Sequence, residues 1–159
     1  MAEGKSNSLL GASLTYYIFE GVLVGVAGSS VIHIFSLSGG GGGSKTYRPT
    51  AAGNNPYMEG LKTSGSGAKH RHGGPVPPGR YVIHPPENHP HLGRAARLEP
   101  DKRNNMMGRD AFYIHGRGPH GSDGCIVPLT DFDNLMSALA RDGGGVLYVE
   151  EAMGGDRFA

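Results

Sequence analysis

A single cysteine, Cys125, follows a histidine, His115, by ten positions, and a glycine-rich stretch joins them. The run reads Tyr113-Ile114-His115-Gly116-Arg117-Gly118-Pro119-His120-Gly121-Ser122-Asp123-Gly124-Cys125-Ile126-Val127-Pro128. A thiol attacks acyl carbons only as the thiolate, which needs a neighbouring base or cation. An imidazole meets that need near neutral pH and can return the proton to a leaving amine. Glycines let backbone approach a substrate and aim N–H groups at a developing oxyanion, so Gly124 and Cys125 are the candidate donors. Ser122 either orients the loop or is a plain turn residue. A lone cysteine is ordinarily a small buried hydrophobe and a lone histidine an unremarked surface group. The pairing, framed by Gly116, Ser122 and Gly124, is what argues for chemistry.

The elements that must position this pair read as follows. Ala111–His115 is a strand running into the glycine-rich turn, and Cys125 opens another apolar segment. Upstream, Leu14–Phe19, Val22–Val26 and Val31–Ser36 form a β-meander over 12–38, with turns at Glu20-Gly21 and Gly28-Ser29-Ser30. Residues 39–109 are loop-rich, with one strand at Arg80–Ile83 and irregular chain over 84–109; so long a loop in a compact domain is usually functional. Phe132, Leu135, Met136, Leu139 and Ala140 recur at helical spacing, predicting a helix over about 131–142 with Thr130 as N-cap and Gly143 as C′ residue. That apolar stripe is core packing. The strand Gly145–Glu150 and a polar tail, 151–159, complete one domain spanning 1–159. The expected fold class is mostly β, a sandwich or meander with one clear helix and long loops.

Composition agrees. Of 159 residues, 28 are glycine and 11 proline, which rules out a mostly helical chain. Hydrophobic residues make up 37% and charged residues 18%, the balance of a folded domain and not of a disordered tail. A net charge of +1 gives no bulk attraction to nucleic acid, and no apolar run is long enough to span a bilayer. With one cysteine, no disulfide forms within the chain. Met1–Gly11 lacks the layout of a cleavable signal, predicting a protein made in the cytoplasm without one.

Other signals are weaker. Gly116–Gly121 matches G-x-G-x-x-G, but Pro119 and a second turn follow where a dinucleotide site needs a helix. Gly39–Gly43 with Ser44-Lys45 lacks phosphate-loop order and reads as a flexible connection. Lys69-His70-Arg71-His72 is a solvated basic loop without interleaved aromatics. His70-x-His72 and His89-x-His91 lie in Pro/Gly-rich chain with neither H-E-x-x-H nor a cysteine pair, so no metal is expected.

His-Gly, a variable loop, then Ser-x-Gly-Cys-Ile resembles the signature of the L,D-transpeptidase (YkuD-type) family. Gly74-Pro75-Val76-Pro77-Pro78-Gly79-Arg80-Tyr81 resembles a segment of a compact branch of that family that includes type VI secretion effectors with L,D-transpeptidase and L,D-carboxypeptidase activity. The likeness follows element order over roughly 12–150, and only those two segments are specific. It implies Cys125 as nucleophile and His115 as base, its tautomer fixed by the Gly116 carbonyl or a neighbouring backbone group, acting on peptidoglycan stem peptides without a cofactor. Asp123 stands where many members have histidine, so Asp123, His120 and Arg117 are candidate substrate contacts; Arg80 is a weaker one, more readily solvated on its strand. The resemblance also implies delivery to the periplasm of a target bacterium, with an immunity protein and a secretion-apparatus carrier as partners. The alternatives are a Cys/His peptidoglycan amidase or peptidase of another fold, and a non-catalytic wall-binding module.

Overall fold

A computed structural model of the chain describes residues 11–38, 75–106, 108–116 and 124–154. Its chemistry-bearing segments hang on a nine-stranded sheet: β1 Ala12–Tyr17, β2 Val22–Ala27, β3 Ser30–Ser38, β4 Gly79–Ile83, β5 Glu87–His89, β6 Gly93–Pro100, β7 Phe112–His115, β8 Ile126–Pro128 and β9 Gly145–Glu150. Among the described residues one helix, α1, spans Phe132–Asp142. The described residues are thus mostly β with one helix, as expected.

The sheet order is β4-β9-β1-β2-β3-β8-β7-β6-β5, and β4 also pairs with β6. That extra pairing closes eight strands into a barrel-like ring. β6 makes closure possible by being long. Its first residues pair with β5, its middle with β7 and its last with β4. Closure leaves few open edges for another chain to pair with. Alternation fills the interior: Ala12, Leu14 and Tyr16 of β1 point in, while Ser13, Thr15 and Tyr17 do not. Tyr81, Ile83, Leu98, Ile114, Ile126 and Leu147 join them in one buried cluster. α1 packs against β1, β2 and β6, strands from opposite sides of the ring, and buries Leu135, Met136, Ala138 and Leu139.

Several expectations need correction. Residues 84–109 are not irregular throughout, because β5 and β6 lie within them. Their polar, small-residue sequence hid them: only Ala95, Ala96 and Leu98 of β6 are buried, among Arg94, Arg97 and Glu99. Pairing on both edges overrides that weak local preference. His84 N–H still donates to Arg97 O at 2.9 Å, so β4 and β5 run along β6 as one strand interrupted at Pro85-Pro86. β1 both starts and ends two residues before the expected Leu14–Phe19, since the chain turns back after Tyr17, with Gly21 N–H bonded to Tyr17 O at 2.8 Å. β3 extends past Ser36 because its last three residues pair with β8.

α1 is capped by Asp131, not Thr130; Asp131 has left-handed backbone (φ 53°) and makes no side-chain cap bond. Ala138, not Ala140, completes the buried stripe. The C-terminal end follows the sequence reading: Gly143 is left-handed, and the N–H groups of Gly143 and Gly144 bond to Ala140 O and Leu139 O, a Schellman arrangement. The β2–β3 turn then docks on this end. Gly28 and Ser29 both have positive φ, as a two-residue type I′ turn requires, and Gly28 N–H donates to Asp142 Oδ2 at 2.7 Å.

Candidate active site

β7 and β8 are parallel neighbours with Ile114 in register with Ile126. Side chains alternate along each strand, so these two isoleucines face the core while Tyr113 and His115 face outward, both half-buried. Cys125 immediately precedes β8 and is also half-buried. The ten-residue separation in sequence therefore becomes a juxtaposition of strand ends, with His115 and Cys125 flanking one buried apolar pair.

The His115 ring is oriented by its own neighbour. His115 Nδ1 lies 2.8 Å from Gly116 O. A carbonyl only accepts, so Nδ1 carries the hydrogen and Nε2 holds the free lone pair of the neutral ring. Burial holds this imidazole below the ordinary histidine range; the bond to Gly116 opposes the shift, and the charge of nearby His89 adds to it. A base that stays neutral as pH falls is suited to accept a thiol proton.

The sulfur also has polar neighbours. Tyr113 N–H donates to Cys125 Sγ at 3.3 Å, a bond that favours the thiolate. Ala111 O lies 3.9 Å from Sγ on the S–H donor side. Ala111 has φ 65°, which costs a residue with a Cβ about 1–2 kcal/mol. Such strain persists where the surroundings impose it, commonly beside functional groups.

Gly124 explains why its position excludes a side chain. Its φ is 128°, and a Cβ there would sit 2.3 Å from Phe112 Cε1 and 2.7 Å from Arg109 Nη2. Gly124 O accepts a 2.7 Å bond from the buried hydroxyl of Ser38, and Ser38 Oγ accepts one from Val76 N–H at 2.9 Å. Arg109 lies 5.1 Å over the Phe112 ring and donates from Nη1 to Pro75 O at 2.8 Å. Ser38 therefore ties the proline-rich segment to the cysteine turn, and Arg109 ties the same segment to the Phe112 ring. Gly116 has more room, its nearest neighbour to an added Cβ being the Phe132 ring at 3.5 Å.

Of the remaining sequence candidates, Arg117, His120, Ser122 and Asp123 lie outside the described residues, as do His70, His72 and Gly39–Gly43. Arg80 is on β4, 3.9 Å from Asp101, and belongs to a different part of the surface. His89 Nδ1 accepts bonds from the N–H groups of His91 and Leu92, at 3.0 and 3.2 Å, so that nitrogen is engaged by backbone. Among the described residues no group of three His, Cys, Asp or Glu side chains is arranged to hold a metal, and no helix is long and apolar enough to cross a membrane.

Ser38 and Arg109 escaped the sequence reading, which also gave Tyr113 no role and weighed His89 only as half of a metal-ligand pair. His89 packs edge-on to Tyr113, ring centroids 5.0 Å apart. A hydroxyl closing the apolar run Ile34-Phe35-Ser36-Leu37 was the one available signal for Ser38, and nothing in it points to a partner 86 residues away. A groove of about 420 Å³ between β3 and α1, lined in part by His33, Asp131 and Asn134, shares no residue with the His115–Cys125 pair.

No protein-family model matches the chain, and no curated protein does. Among solved structures, the crystal structure of the L,D-transpeptidase (residues 123–326) from Xylanimonas cellulosilytica DSM 15894 is similar at a TM-score of 0.41 and 14% identity. The match covers 87% of this chain and 60% of that one.

Proposed function

We propose that the protein is a cysteine acyltransferase acting on peptidoglycan tetrapeptide stems, as an L,D-transpeptidase or L,D-carboxypeptidase. The observation that carries this reading is the β7–β8 register, with His115 and Cys125 flanking Ile114 and Ile126 and with His115 Nδ1 occupied by Gly116 O. The sequence resemblance at Ser122–Ile126 supplies the substrate class.

In this reading His115 Nε2 takes the thiol proton as Sγ attacks the carbonyl carbon of the third stem residue. The C–S bond forms, the C–N bond to the terminal D-Ala breaks, and His115 returns the proton to the leaving amine. Water, a free D-amino acid or the amine of another stem then resolves the thioester, giving trimming, exchange or crosslinking. Tyr113 N–H supports the sulfur before attack.

Incubation with purified disaccharide-tetrapeptides tests the activity: mass spectrometry should show loss or exchange of the terminal D-Ala, absent for Cys125→Ala. Cleavage at another stem bond would replace this reading with an amidase or peptidase. No cleavage, together with slow alkylation of Cys125 at neutral pH, would leave a non-catalytic module. The antibacterial role extends the same resemblance. Expression directed to the periplasm of a test bacterium should be toxic through Cys125, while cytoplasmic expression should not.

A further inference from the structure

We infer that Ser38 is a positioning residue for Cys125, acting through the Gly124 carbonyl; the inference rests on the nucleophile reading above. Ser38 is fully buried at the end of β3. Its hydroxyl has one proton to give and lone pairs to accept, and it does both here: it donates to Gly124 O at 2.7 Å and accepts from Val76 N–H at 2.9 Å.

The consequence follows from peptide geometry. Gly124 C=O and Cys125 N–H belong to one planar unit, and no peptide bond in the described residues is cis. Anchoring the carbonyl on Ser38 therefore fixes the direction of the Cys125 N–H and the point from which the Cys125 side chain departs. Gly124 most needs such an anchor, since glycine has the least intrinsic preference for one backbone orientation. The steric wall of Phe112 and Arg109 excludes a side chain at 124, so the residue that must be glycine is steadied by a hydroxyl from elsewhere. Val76 N–H, the second partner, ties the proline-rich segment to the same oxygen. One buried group thus holds β3, the Pro75–Pro78 segment and the nucleophile turn in a common geometry.

A purely structural hydroxyl would affect stability alone, and the same strand carries one for comparison. Ser36 is equally buried, but its Oγ donates only to Ile34 O, within its own strand, at 3.0 Å. The experiment measures iodoacetamide alkylation of Cys125 in the full chain across pH, with thermal unfolding, for wild type, Ser38→Ala, Ser38→Thr and Ser36→Ala. Wild type should alkylate faster at neutral pH than free cysteine. Ser38→Ala should lose at least ~10-fold in that rate, with its pH–rate midpoint displaced toward the ~8.5 of a free thiol. Ser38→Thr should recover most of the rate, and Ser36→Ala should keep it while lowering the melting temperature by a similar amount. Equal rates in Ser38→Ala and Ser36→Ala, from a reactive wild type, would overturn the inference and leave the nucleophile reading standing. A wild-type thiol no faster than free cysteine would overturn both. If Ser38→Ala does not fold, a Ser38→Thr protein that folds but alkylates like free cysteine also defeats it.

Discussion

Ile114 stands opposite Ile126 across parallel strands, and this buried pair sets His115 one residue beyond it on β7 and Cys125 one residue before it, just ahead of β8. The two residues therefore lie on a diagonal across the strand pair, at opposite ends of the isoleucines. Replacing His115 by Gln should lower turnover of tetrapeptide stems by ~10²–10⁴-fold, the usual contribution of a positioned general base. Cys125→Ala should abolish it. Circular dichroism should be unchanged in both, since neither side chain belongs to the core cluster. Wild-type turnover in the Gln variant would remove His115 from the mechanism.

The acid side of the pH profile follows from the burial of His115. Its folded pKa is lowered, mainly by desolvation. The neutral base should persist below the ~6.5 midpoint of a free imidazole, placing the acid limb of kcat/KM below that value. The linked stability has the matching sign. It is fully present above the unfolded pKa, declines as pH falls and is lost by the time pH passes through the folded pKa, because the unfolded chain binds the proton more readily. His89→Gln removes one of the effects lowering this pKa, so the acid limb should move upward slightly. A downward move would contradict the arrangement.

Gly124→Ala should be far more damaging than Gly116→Ala. At 124 the added methyl meets Phe112 Cε1 at 2.3 Å and strains a φ of 128°, whereas at 116 the nearest contact is an ordinary 3.5 Å. Overpacking plus backbone strain costs roughly 2–4 kcal/mol. Urea denaturation should register that loss at 124 and a change under about 1 kcal/mol at 116.

Gly143→Ala tests the helix end. Gly143 has φ 70° with open space around it, so backbone strain is the whole effect. A loss of about 1–2 kcal/mol is expected, with activity retained once the protein is folded. Thermal unfolding gives the first quantity and stem-peptide turnover the second.

Tyr81→Phe tests the anchor under the proline-rich segment. Tyr81 is fully buried and its hydroxyl donates to Pro77 O at 2.6 Å. Removing the oxygen strands a buried carbonyl, at a cost of about 1–3 kcal/mol, readable as a lower urea midpoint with an unchanged slope.

The parts legible in the sequence are those whose signal is local. The inward pair Leu14 and Tyr16, the apolar residues of β9 and the stripe Leu135, Met136, Leu139 each repeat with the period of their own element, so a short window suffices. Gly143 as helix terminator is equally local. His115 and Cys125 could be picked out because a base and a thiol framed by glycines are chemically unusual together. β5 and β6 could not, since a strand of arginine, alanine and glutamate owes its existence to partners on both edges.

Residue types and spacing thus determined the candidate pair His115 and Cys125, the period of most elements and the mostly-β class, because these depend on chain-local sterics and side-chain chemistry. Only the tertiary structure decided that the sheet closes through β4 and β6, that Ile114 and Ile126 set His115 and Cys125 around them, and that Ser38 reaches Gly124 across 86 positions. Those facts arise from long-range pairing, where the hydrogen-bonding groups of one segment are satisfied by another whose identity no local pattern encodes.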